Sequence, residues 1–349
     1  MIKRVLLLIG IILLIAGSSA VLAMEPDARS FAMGGAYTAV VDDATAVYWN
    51  PARLPNIRLL SLAFGAGLAS EDLKNSQEAL EVLLDPQKIK EVENLDLKAN
   101  VSGGFLGAAA TRRIGVGLYG NMEVDVKAET KVDYDKLEGT AKSDLGASVR
   151  ANTVLAYAQP FKRFNLGAAL KIVGDGRYTR GEHEKYNPLT NNTDKTTFNI
   201  ERIGTGYSVD LAFSTGLTRI IQLGFVAQDV FSNIKYEEKL TEDGQEVSTK
   251  EIKDKLEPSY RAGIAIRPGF GFTFAGDVSS NGPVHFGVEK NTLFNALSLR
   301  GGMVSKGGVT EYRAGVGFNL ALLHAGVGVS FDPEKDTLKA VVLDASLTF

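Results

Sequence analysis

Hydrophobic and polar residues alternate with a period of two along most of the chain, most regularly near the C-terminus. Between residues 310 and 320 one face is polar or glycine and the other is apolar, formed by Tyr312, Ala314, Val316, Phe318 and Leu320. Residues 322–331 and 338–349 repeat the pattern, and in the second of these segments Val342 is the one exception on the polar face. A two-residue period over such lengths predicts β-strands with one apolar face.

The polar face of these strands is rich in glycine. In a soluble sandwich the polar face meets bulk water and carries many Lys, Glu and Thr side chains. Glycine weakens a strand unless close packing needs the space, so this face predicts a crowded interior. The apolar face would then meet lipid, because a closed barrel leaves no backbone group unpaired in hydrocarbon. The pattern predicts an all-β fold, a closed antiparallel transmembrane β-barrel.

The alternating segments number fourteen, an even count as in outer-membrane barrels made of one bacterial chain. They are residues 57–68, 98–110, 113–126, 144–158, 163–178, 198–213, 219–231, 258–266, 270–278, 283–290, 296–304, 310–319, 322–331 and 338–349. The connections alternate between long and short as far as residue 269, which predicts longer external loops and short periplasmic turns. We expect the barrel to occupy residues 57–349.

The N-terminus has the three features of a secretory signal: a basic end, an apolar run at residues 5–16 and a small-residue stretch that ends at Ala23. We expect residues 1–23 to be a signal peptide that is cleaved near Ala23. No run of 18 or more apolar residues follows, so no later helix is expected to span a membrane. Export of a barrel places the chain in the cell outer membrane, with outer-membrane lipid as its partner.

The amino-acid composition excludes several classes of function. The 349 residues include no cysteine and three histidines, and the formal charge is −3. A disulfide framework, a thiolate metal site and a thiol nucleophile all need cysteine, and a nucleic-acid module would be basic. His183, His285 and His324 have no serine or carboxylate in a recognisable catalytic arrangement. We therefore expect no enzymatic activity, no cofactor, no metal site and no nucleic-acid partner.

Residues 24–56 do not alternate, and they are too few to form a domain of their own. Because they directly precede the first predicted strand, we expect them to fold back into the barrel lumen as an N-terminal hatch. Polar residues on the predicted inward faces would meet them there: Arg150, Lys171, Arg202, Asp210, Arg261, Arg300, Glu311 and Arg313.

Three motifs follow one another in this segment: Arg29-Ser30-Phe31-Ala32-Met33-Gly34-Gly35-Ala36-Tyr37, Asp42-Asp43-Ala44 and Trp49-Asn50-Pro51-Ala52. Together they resemble the N-terminal signature of FadL-like outer-membrane proteins, most closely the shorter PorV-type relatives. The resemblance implies a fourteen-stranded barrel closed by a hatch whose residues include Gly34, Gly35, Asp42, Asp43, Trp49, Asn50, Pro51 and Ala52. It also implies passive uptake of hydrophobic, fatty-acid-like molecules, which leave sideways beside a kinked strand, for which residues 113–126 are a candidate.

Two interpretations stay open for the polar residues of the hatch. Pro51 fixes the backbone and Asn50 satisfies nearby backbone groups, so this turn either leads into the first strand or acts as a latch that opens the lumen. Asp42 and Asp43 either bind inward Arg residues or cap a short helix.

Two departures from the FadL-like pattern widen the choice of function. Arg53 follows Ala52 where the family often has glycine, and the external loops that form the fatty-acid groove are reduced. The alternative function is a PorV-type scaffold or shuttle that holds secreted or surface proteins without transporting small molecules.

The first long loop contains leucines at near-helical spacing, and Pro86 ends the run. This pattern predicts a short amphipathic helix that either receives a ligand or partner or leans on the barrel rim. The residues are Leu73, Leu80, Leu83 and Leu84.

Overall fold

The computed structural model describes residues 25–70, 96–133, 138–187, 192–332 and 337–349. The predicted signal peptide and the four leucines of the first long loop lie outside these residues. Two short helices, α1 (Ala28–Ala32) and α2 (Ala46–Trp49), and a 3-10 helix (Pro51–Asn56) precede the strands. The strands in the described chain are β1 (Leu60–Ser70), β2 (Asp96–Thr111), β3 (Ile114–Asp133), β4 (Glu138–Pro160), β5 (Phe164–Asn187), β6 (Asn192–Gly216), β7 (Ile221–Glu242), β8 (Gln245–Asp254), β9 (Ser259–Gly269), β10 (Phe272–Ser279), β11 (Val284–Thr292), β12 (Leu297–Lys306), β13 (Val309–Leu320), β14 (Leu323–Asp332) and β15 (Thr337–Thr348).

The sheet closes on itself, and every pairing between neighbouring strands is antiparallel. β1 pairs with β15, with Ser61 opposite Thr348, and β6 pairs with β7. Of the 15 strands, all except β8 belong to this ring, which therefore has fourteen. The predicted closed antiparallel barrel of fourteen strands is confirmed. Each predicted strand corresponds to one strand of the ring, although β4–β7 extend further toward the loops than predicted.

β8 is an extra strand outside the ring. It lies within residues 232–257, which the sequence analysis treated as a loop between two strands, and that interpretation is wrong. β7 continues past β9 and forms a hairpin with β8, from Ile234 opposite Asp254 to Glu242 opposite Gln245. Asp243 and Gly244 make the two-residue turn, with φ angles of 47° and 78°. An Asp-Gly pair suits such a turn because both central residues need positive φ. β8 is exposed along most of its length, so its sequence carries no apolar face.

The wall of the barrel is uneven in height. β5 and β6 have 24 and 25 residues, whereas β10 and β11 have 8 and 9. At about 3.3 Å per residue, the long strands rise well above the short ones on the loop side. The β7–β8 hairpin belongs to this taller half of the wall.

Apolar side chains cover the outside of the barrel, as the alternation predicts. Phe318 and Leu343 are 55% and 57% exposed, whereas Arg313 on the opposite face of β13 is buried. Val342, the exception in the pattern, is buried against Ala28 and Phe31 of α1. The apolar side chain at this inward position therefore packs on the N-terminal residues.

Inward glycines allow the N-terminal residues to approach the wall closely. A Cβ added at Gly302 would lie 2.2 Å from the backbone nitrogen of Gly34, and one added at Gly167 would lie 2.3 Å from that of Ala52. No side-chain carbon fits at such distances, so the lack of a side chain at these positions is what permits the contact.

Candidate functional site

The N-terminal segment, residues 25–57, packs against strands on both sides of the ring. Its buried side chains Met33, Tyr37, Trp49 and Leu54 form one apolar cluster with small residues of the wall. The wall contributes Ala63, Ala108, Ala110, Ala156, Ala158, Ala169, Ala265 and Ala275 to this cluster. These alanines come from β1, β2, β4, β5, β9 and β10, so the segment packs against both halves of the barrel.

Asp27 connects the first two helices of the segment. Its carboxylate accepts a hydrogen bond from the Ser30 backbone N–H at 2.8 Å, as the N-cap of α1, and another from Trp49 Nε1 at 2.9 Å. Burial raises the pKa of Asp27 to about 7, and the nearby Asp344 carboxylate acts in the same direction. Trp49, one of the predicted hatch residues, is thus bound to the start of the segment.

Gly34 and Gly35 form the turn after α1, with φ angles of 65° and 77°. These angles lie in the left-handed region that glycine tolerates best. The Gly34 carbonyl accepts from His285 Nδ1 at 2.7 Å, and the Gly35 carbonyl accepts from Arg261 Nη1 at 3.3 Å. The turn therefore presents two carbonyl groups to β11 and β9.

Asp42 and Asp43 differ in their contacts. Asp42 accepts from Arg29 Nη1 at 2.7 Å and lies 3.8 Å from Arg267 Nη2. Asp43 accepts from the backbone N–H and the hydroxyl of Thr45, at 2.9 and 2.6 Å. Burial raises the pKa of Asp43, and the Asp42 charge adds to the effect. Asp42 thus pairs with arginine, whereas Asp43 organises the start of α2.

Asn50 joins α2 to the 3-10 helix as its N-cap, and Pro51 and Ala52 are the first two residues of that helix. Asn50 Nδ2 donates to the Thr38 carbonyl at 2.9 Å and to the Phe213 carbonyl at 3.4 Å. Its Oδ1 accepts from the Ala52 N–H at 3.0 Å. Asn50 therefore ties two parts of the segment to each other and to β6.

Arg53 occupies the position where the motif departs from the FadL-like pattern. Its Nε donates to the Val41 carbonyl at 3.0 Å, and its Nη1 donates to Gln222 Oε1 at 2.7 Å. The residue is almost fully buried, and its charge is held by oxygen atoms of the segment and of β7. This arginine adds a further attachment of the segment to the wall.

A buried ionic network joins the segment to β11 and β12. Arg29 Nε and Nη2 donate to the two oxygens of Glu289 at 2.9 and 3.0 Å. Glu289 also accepts from Arg300 Nε at 2.8 Å. A bidentate arginine–carboxylate pair fixes direction as well as distance, so this contact orients α1 in the lumen.

A second ionic contact is made at the first described residue. Arg313 Nη1 donates to Glu25 Oε2 at 2.6 Å, and its Nε donates to Glu311 Oε1 at 2.7 Å. The same guanidinium lies 4.2 Å from the centre of the Phe31 ring. Arg313 therefore binds both the beginning of the segment and α1.

The predicted inward polar residues separate into two groups. Arg261 and Arg313 contact the segment directly. Arg300 reaches it through Glu289, and Glu311 reaches it through Arg313. The remaining four make ion pairs along the tall half of the wall: Arg150 with Asp175, Lys171 with Asp210, and Arg202 with Asp254.

A cavity of about 140 Å³ lies between the segment and the tall half of the wall. The segment contributes Pro26 and Tyr48 to its lining, and β3 contributes Tyr119 and Asn121. The rest of the lining is Gly120, Arg150, Asn152, Lys171, Gln228, Asp229 and Leu256. Aromatic carbon and polar groups are therefore both available to a molecule in this space.

Aromatic rings connect the cavity to the centre of the segment. The ring centres of Tyr48 and Tyr119 are 4.8 Å apart at an interplanar angle of 80°. Tyr48 also meets Trp49 edge-to-face, with 5.1 Å between centres. Edge-to-face pairs at such distances are favourable contacts, so Tyr48 connects the lining of the cavity to Trp49.

One strand of the wall is bulged beside the cavity. The register of β6 with β7 shifts between Val209 and Leu211, and Asp229 on β7 has a φ of 59°. Lys171 Nζ lies 2.6 Å from both Asp210 Oδ1 and Asp229 Oδ1. The lysine thus bridges the two strands where their ladder is interrupted.

β3, which contains the predicted kink candidate 113–126, is regular. It pairs without a register shift with β2, from Asp96 opposite Glu129 to Ala110 opposite Gly115, and with β4 over its whole length. Both neighbours therefore continue the hydrogen-bond ladder of this strand without a bulge. The irregular position of this part of the wall is at the β6–β7 bulge.

The sequence analysis placed Arg150 and Lys171 on the inward face but missed the other residues of the cavity lining. Tyr119 lies opposite Asn152, and Asn121 lies opposite Arg150, so these four side chains share the inward face of β3 and β4. The available signal was the presence of polar and aromatic residues on inward positions of two consecutive strands. Strand register decides which of these positions meet, and the alternation alone does not provide the register.

Comparison with known proteins identifies the fold. No family model and no curated protein matches the chain. The Pseudomonas putida toluene transporter TodX is similar at 12% identity and a TM-score of 0.59, over 93% of this chain and 98% of that chain. The CymD monoaromatic hydrocarbon channel is similar at 13% identity and 0.55, over 95% and 99%. A Pseudomonas aeruginosa FadL homologue is similar at 10% identity and 0.59, over 95% and 100%.

The chain therefore has the fold of FadL-like outer-membrane channels, as the N-terminal motifs indicate. A closed barrel with an apolar exterior and these neighbours support a location in the outer membrane. None of the helices in the described residues has the length and apolar character needed to cross a membrane. In the same part of the chain, no three His, Asp or Glu side chains come together as metal ligands would.

Proposed function

We propose that the protein mediates passive uptake of hydrophobic small molecules across the outer membrane, with the N-terminal segment as the hatch of the barrel. The observation that carries the proposal is the cavity between the segment and the wall, next to the β6–β7 bulge. A molecule that enters from the loop side would meet Tyr48 and Tyr119 before it meets the packed part of the segment. The names of TodX and CymD, which describe a toluene transporter and a monoaromatic hydrocarbon channel, support this class of cargo.

The size of the cavity favours compact cargo. An apolar cavity of roughly 150 Å³ holds a benzene molecule, so a space of this order accommodates about one ring. The fatty-acid-like cargo implied by the sequence resemblance needs more length than the cavity offers. We place ring-sized hydrophobic compounds first and fatty-acid-like molecules second.

We further propose that cargo leaves the lumen at the β6–β7 bulge. The interrupted ladder is the weakest described part of the wall next to the cavity, because the strands there are joined by Lys171 and by the Asp229 N–H, which donates to Asp210 at 2.8 Å. Leu211 and Phe231 are exposed on the outside of the same region and face the lipid side. A molecule that passes the bulge would enter an apolar environment.

The domain boundaries belong to the same proposal. Residues 1–23 would be removed on export, residues 24–56 would form the hatch and residues 57–349 the barrel. The mass of the protein purified from outer membranes tests the first boundary, because a chain that retains residues 1–23 contradicts cleavage at Ala23.

Uptake into proteoliposomes tests the transport function. Replacing Asn50 by Ala removes the hydrogen bonds to Thr38, Ala52 and Phe213, so we expect a looser hatch and toluene uptake several-fold faster than in the wild type. Asn281→Ala, in an exposed turn, is the matched control and should leave the rate unchanged. Equal rates for the wild type, Asn50→Ala and protein-free vesicles would contradict transport. Specific capture of a secreted protein would then support the PorV-type scaffold role.

A further inference from the structure

We propose that the cavity between the N-terminal segment and β3–β4 binds a neutral single-ring compound that carries a hydrogen-bonding group, such as a phenol. The proposal rests on the proposed uptake function and narrows its substrate class. It distinguishes three chemistries of similar size: an unsubstituted aromatic hydrocarbon, a neutral polar aromatic compound and an aromatic carboxylate.

Four uncharged polar side chains of the cavity lack hydrogen-bond partners among the described residues. The hydroxyls of Tyr48 and Tyr119 and the side-chain amides of Asn121 and Asn152 make no hydrogen bond to any other described residue. Tyr119 and Asn152 are 9% and 6% exposed, but their polar atoms are not among the fully enclosed unpaired atoms of the described chain, so a ligand in the cavity would take the place of water at them. A buried polar group without a partner costs free energy, and a ligand that supplies the partner recovers it. An unsubstituted hydrocarbon would leave these groups unpaired.

The two hydroxyls retain their protons. Burial raises the pKa of Tyr48 to about 12, so its phenol is neutral at physiological pH and can both donate and accept. The amides of Asn121 and Asn152 also provide both a donor and an acceptor. The lining can therefore pair with either end of a ligand hydroxyl.

The cations of the cavity are already neutralised. Lys171 lies 2.6 Å from each of two carboxylates, those of Asp210 and Asp229. Arg150 donates to Asp175 through Nε at 2.7 Å and through Nη2. A ligand carboxylate would compete with these internal pairs and lie close to Asp229, which also lines the cavity. The charge distribution therefore favours a neutral ligand over an anionic one.

The aromatic side chains provide the surface for the ring. Tyr48 and Tyr119 contact each other nearly perpendicular, with an interplanar angle of 80°, so the pair presents both a ring edge and a ring face to a ligand ring packed beside it. Pro26 and Leu256 add aliphatic surface. This combination of aromatic surface and unpaired hydroxyl and amide groups is what a phenol requires.

Calorimetric titration of the full chain in nanodiscs tests the proposal, with phenol, toluene and benzoate as probes and protein-free nanodiscs as the blank. We expect phenol to bind about tenfold more tightly than toluene or benzoate, the effect of one or two additional hydrogen bonds. Tyr119→Phe removes one hydroxyl and keeps the ring, so it should reduce the preference for phenol several-fold and leave toluene binding unchanged. Asn121→Ala, at an exposed position, should act in the same direction.

Tyr207→Phe is the matched control, because Tyr207 lies on β6 with 52% of its surface exposed on the outside of the barrel. Equal affinity for phenol and toluene, tighter binding of benzoate, or identical effects of Tyr119→Phe and Tyr207→Phe would overturn the proposal. If toluene uptake persists in that case, the proposed function stands and only the ligand class is wrong. If none of the probes binds and no uptake occurs, both are wrong.

Discussion

Charged residues attach the N-terminal segment to the wall, and within the segment Asp27 has a pKa near neutrality. It accepts hydrogen bonds from Ser30 and Trp49 while burial and Asp344 oppose its ionisation. Arg29 and Arg313, by contrast, are paired with Glu289 and Glu25. A change of pH near neutrality should therefore alter the stability of the segment through ionisation of Asp27.

The pH dependence of the segment follows from the sign of this shift. The folded protein holds a proton on Asp27 up to a pKa of about 7, whereas the unfolded chain loses it near 3.8. The folded state is therefore favoured at low pH, and this contribution is lost as pH rises through 7. The contribution falls by ~1.4 kcal/mol per pH unit until Asp27 ionises in the folded state near pH 7, so raising the pH from 5 to 8 removes about 3 kcal/mol.

Hydrogen exchange of residues 25–57, corrected for its intrinsic pH dependence, measures this effect. We expect protection at pH 5 to exceed that at pH 8, and the difference to shrink in Asp27→Asn, which has no titrating proton. Asp144→Asn, at an exposed carboxylate on β4, is the control. Equal protection at both pH values in the wild type would show that Asp27 does not couple the segment to pH.

The sequence predicts which residues face the lumen, but it does not predict which residues they contact. Arg261 and Arg313 were predicted to face the lumen, and the structure pairs them with Gly35 and Glu25. Glu289 was not singled out, although its two oxygens bind Arg29. Such pairs join positions separated by hundreds of residues, and only the barrel register brings them together.

At the scale of elements, glycine on the inward face of β12 sets how closely the segment approaches the wall. Gly301 and Gly302 are neighbours on opposite faces of this strand. A Cβ at Gly302 would lie 2.2 Å from Gly34, whereas one at Gly301 would lie 3.7 Å from Val288, an ordinary contact. Substituting each glycine in turn therefore distinguishes the effect of contact with the segment from the effect of a side chain on the strand itself.

Gly302→Ala should displace the segment and lower stability by roughly 1–3 kcal/mol, the cost of an overpacked site. Gly301→Ala should change stability by less than about 1 kcal/mol, since its new methyl group meets no backbone. Thermal unfolding in detergent, followed by circular dichroism, compares the two variants. Equal stability would mean that the backbone of the segment does not press on β12.

The alternation predicts strands well where one face meets lipid and the other is small or polar, as in β13 and β15. It fails for β8, because both faces of that strand are exposed above the ring. It also underestimates β5, whose second half carries charged residues on both faces as it rises beyond the apolar belt. The alternation of apolar and polar residues thus indicates which strand segments face the membrane, and it does not detect paired strand segments outside the membrane.

At the scale of the whole molecule, the account depends on an inside-out distribution of side chains. The apolar side chains of the strands face outward, and the glycine and polar positions face a packed N-terminal segment. Fold, location and proposed transport all follow from this arrangement. A soluble protein with the same alternation would bury Phe318 and Leu343 in a common core.

Nitroxide spin labels measure this distribution directly, because the chain contains no cysteine and each single-Cys variant carries one label. With Phe318→Cys and Leu343→Cys in lipid nanodiscs, the account predicts that oxygen, which dissolves in acyl chains, relaxes the labels more than a water-soluble nickel chelate does. Lys250→Cys on β8 should show the reverse. Labels at Phe318 and Leu343 that are more accessible to the chelate, or shielded from both reagents, would contradict the central claim.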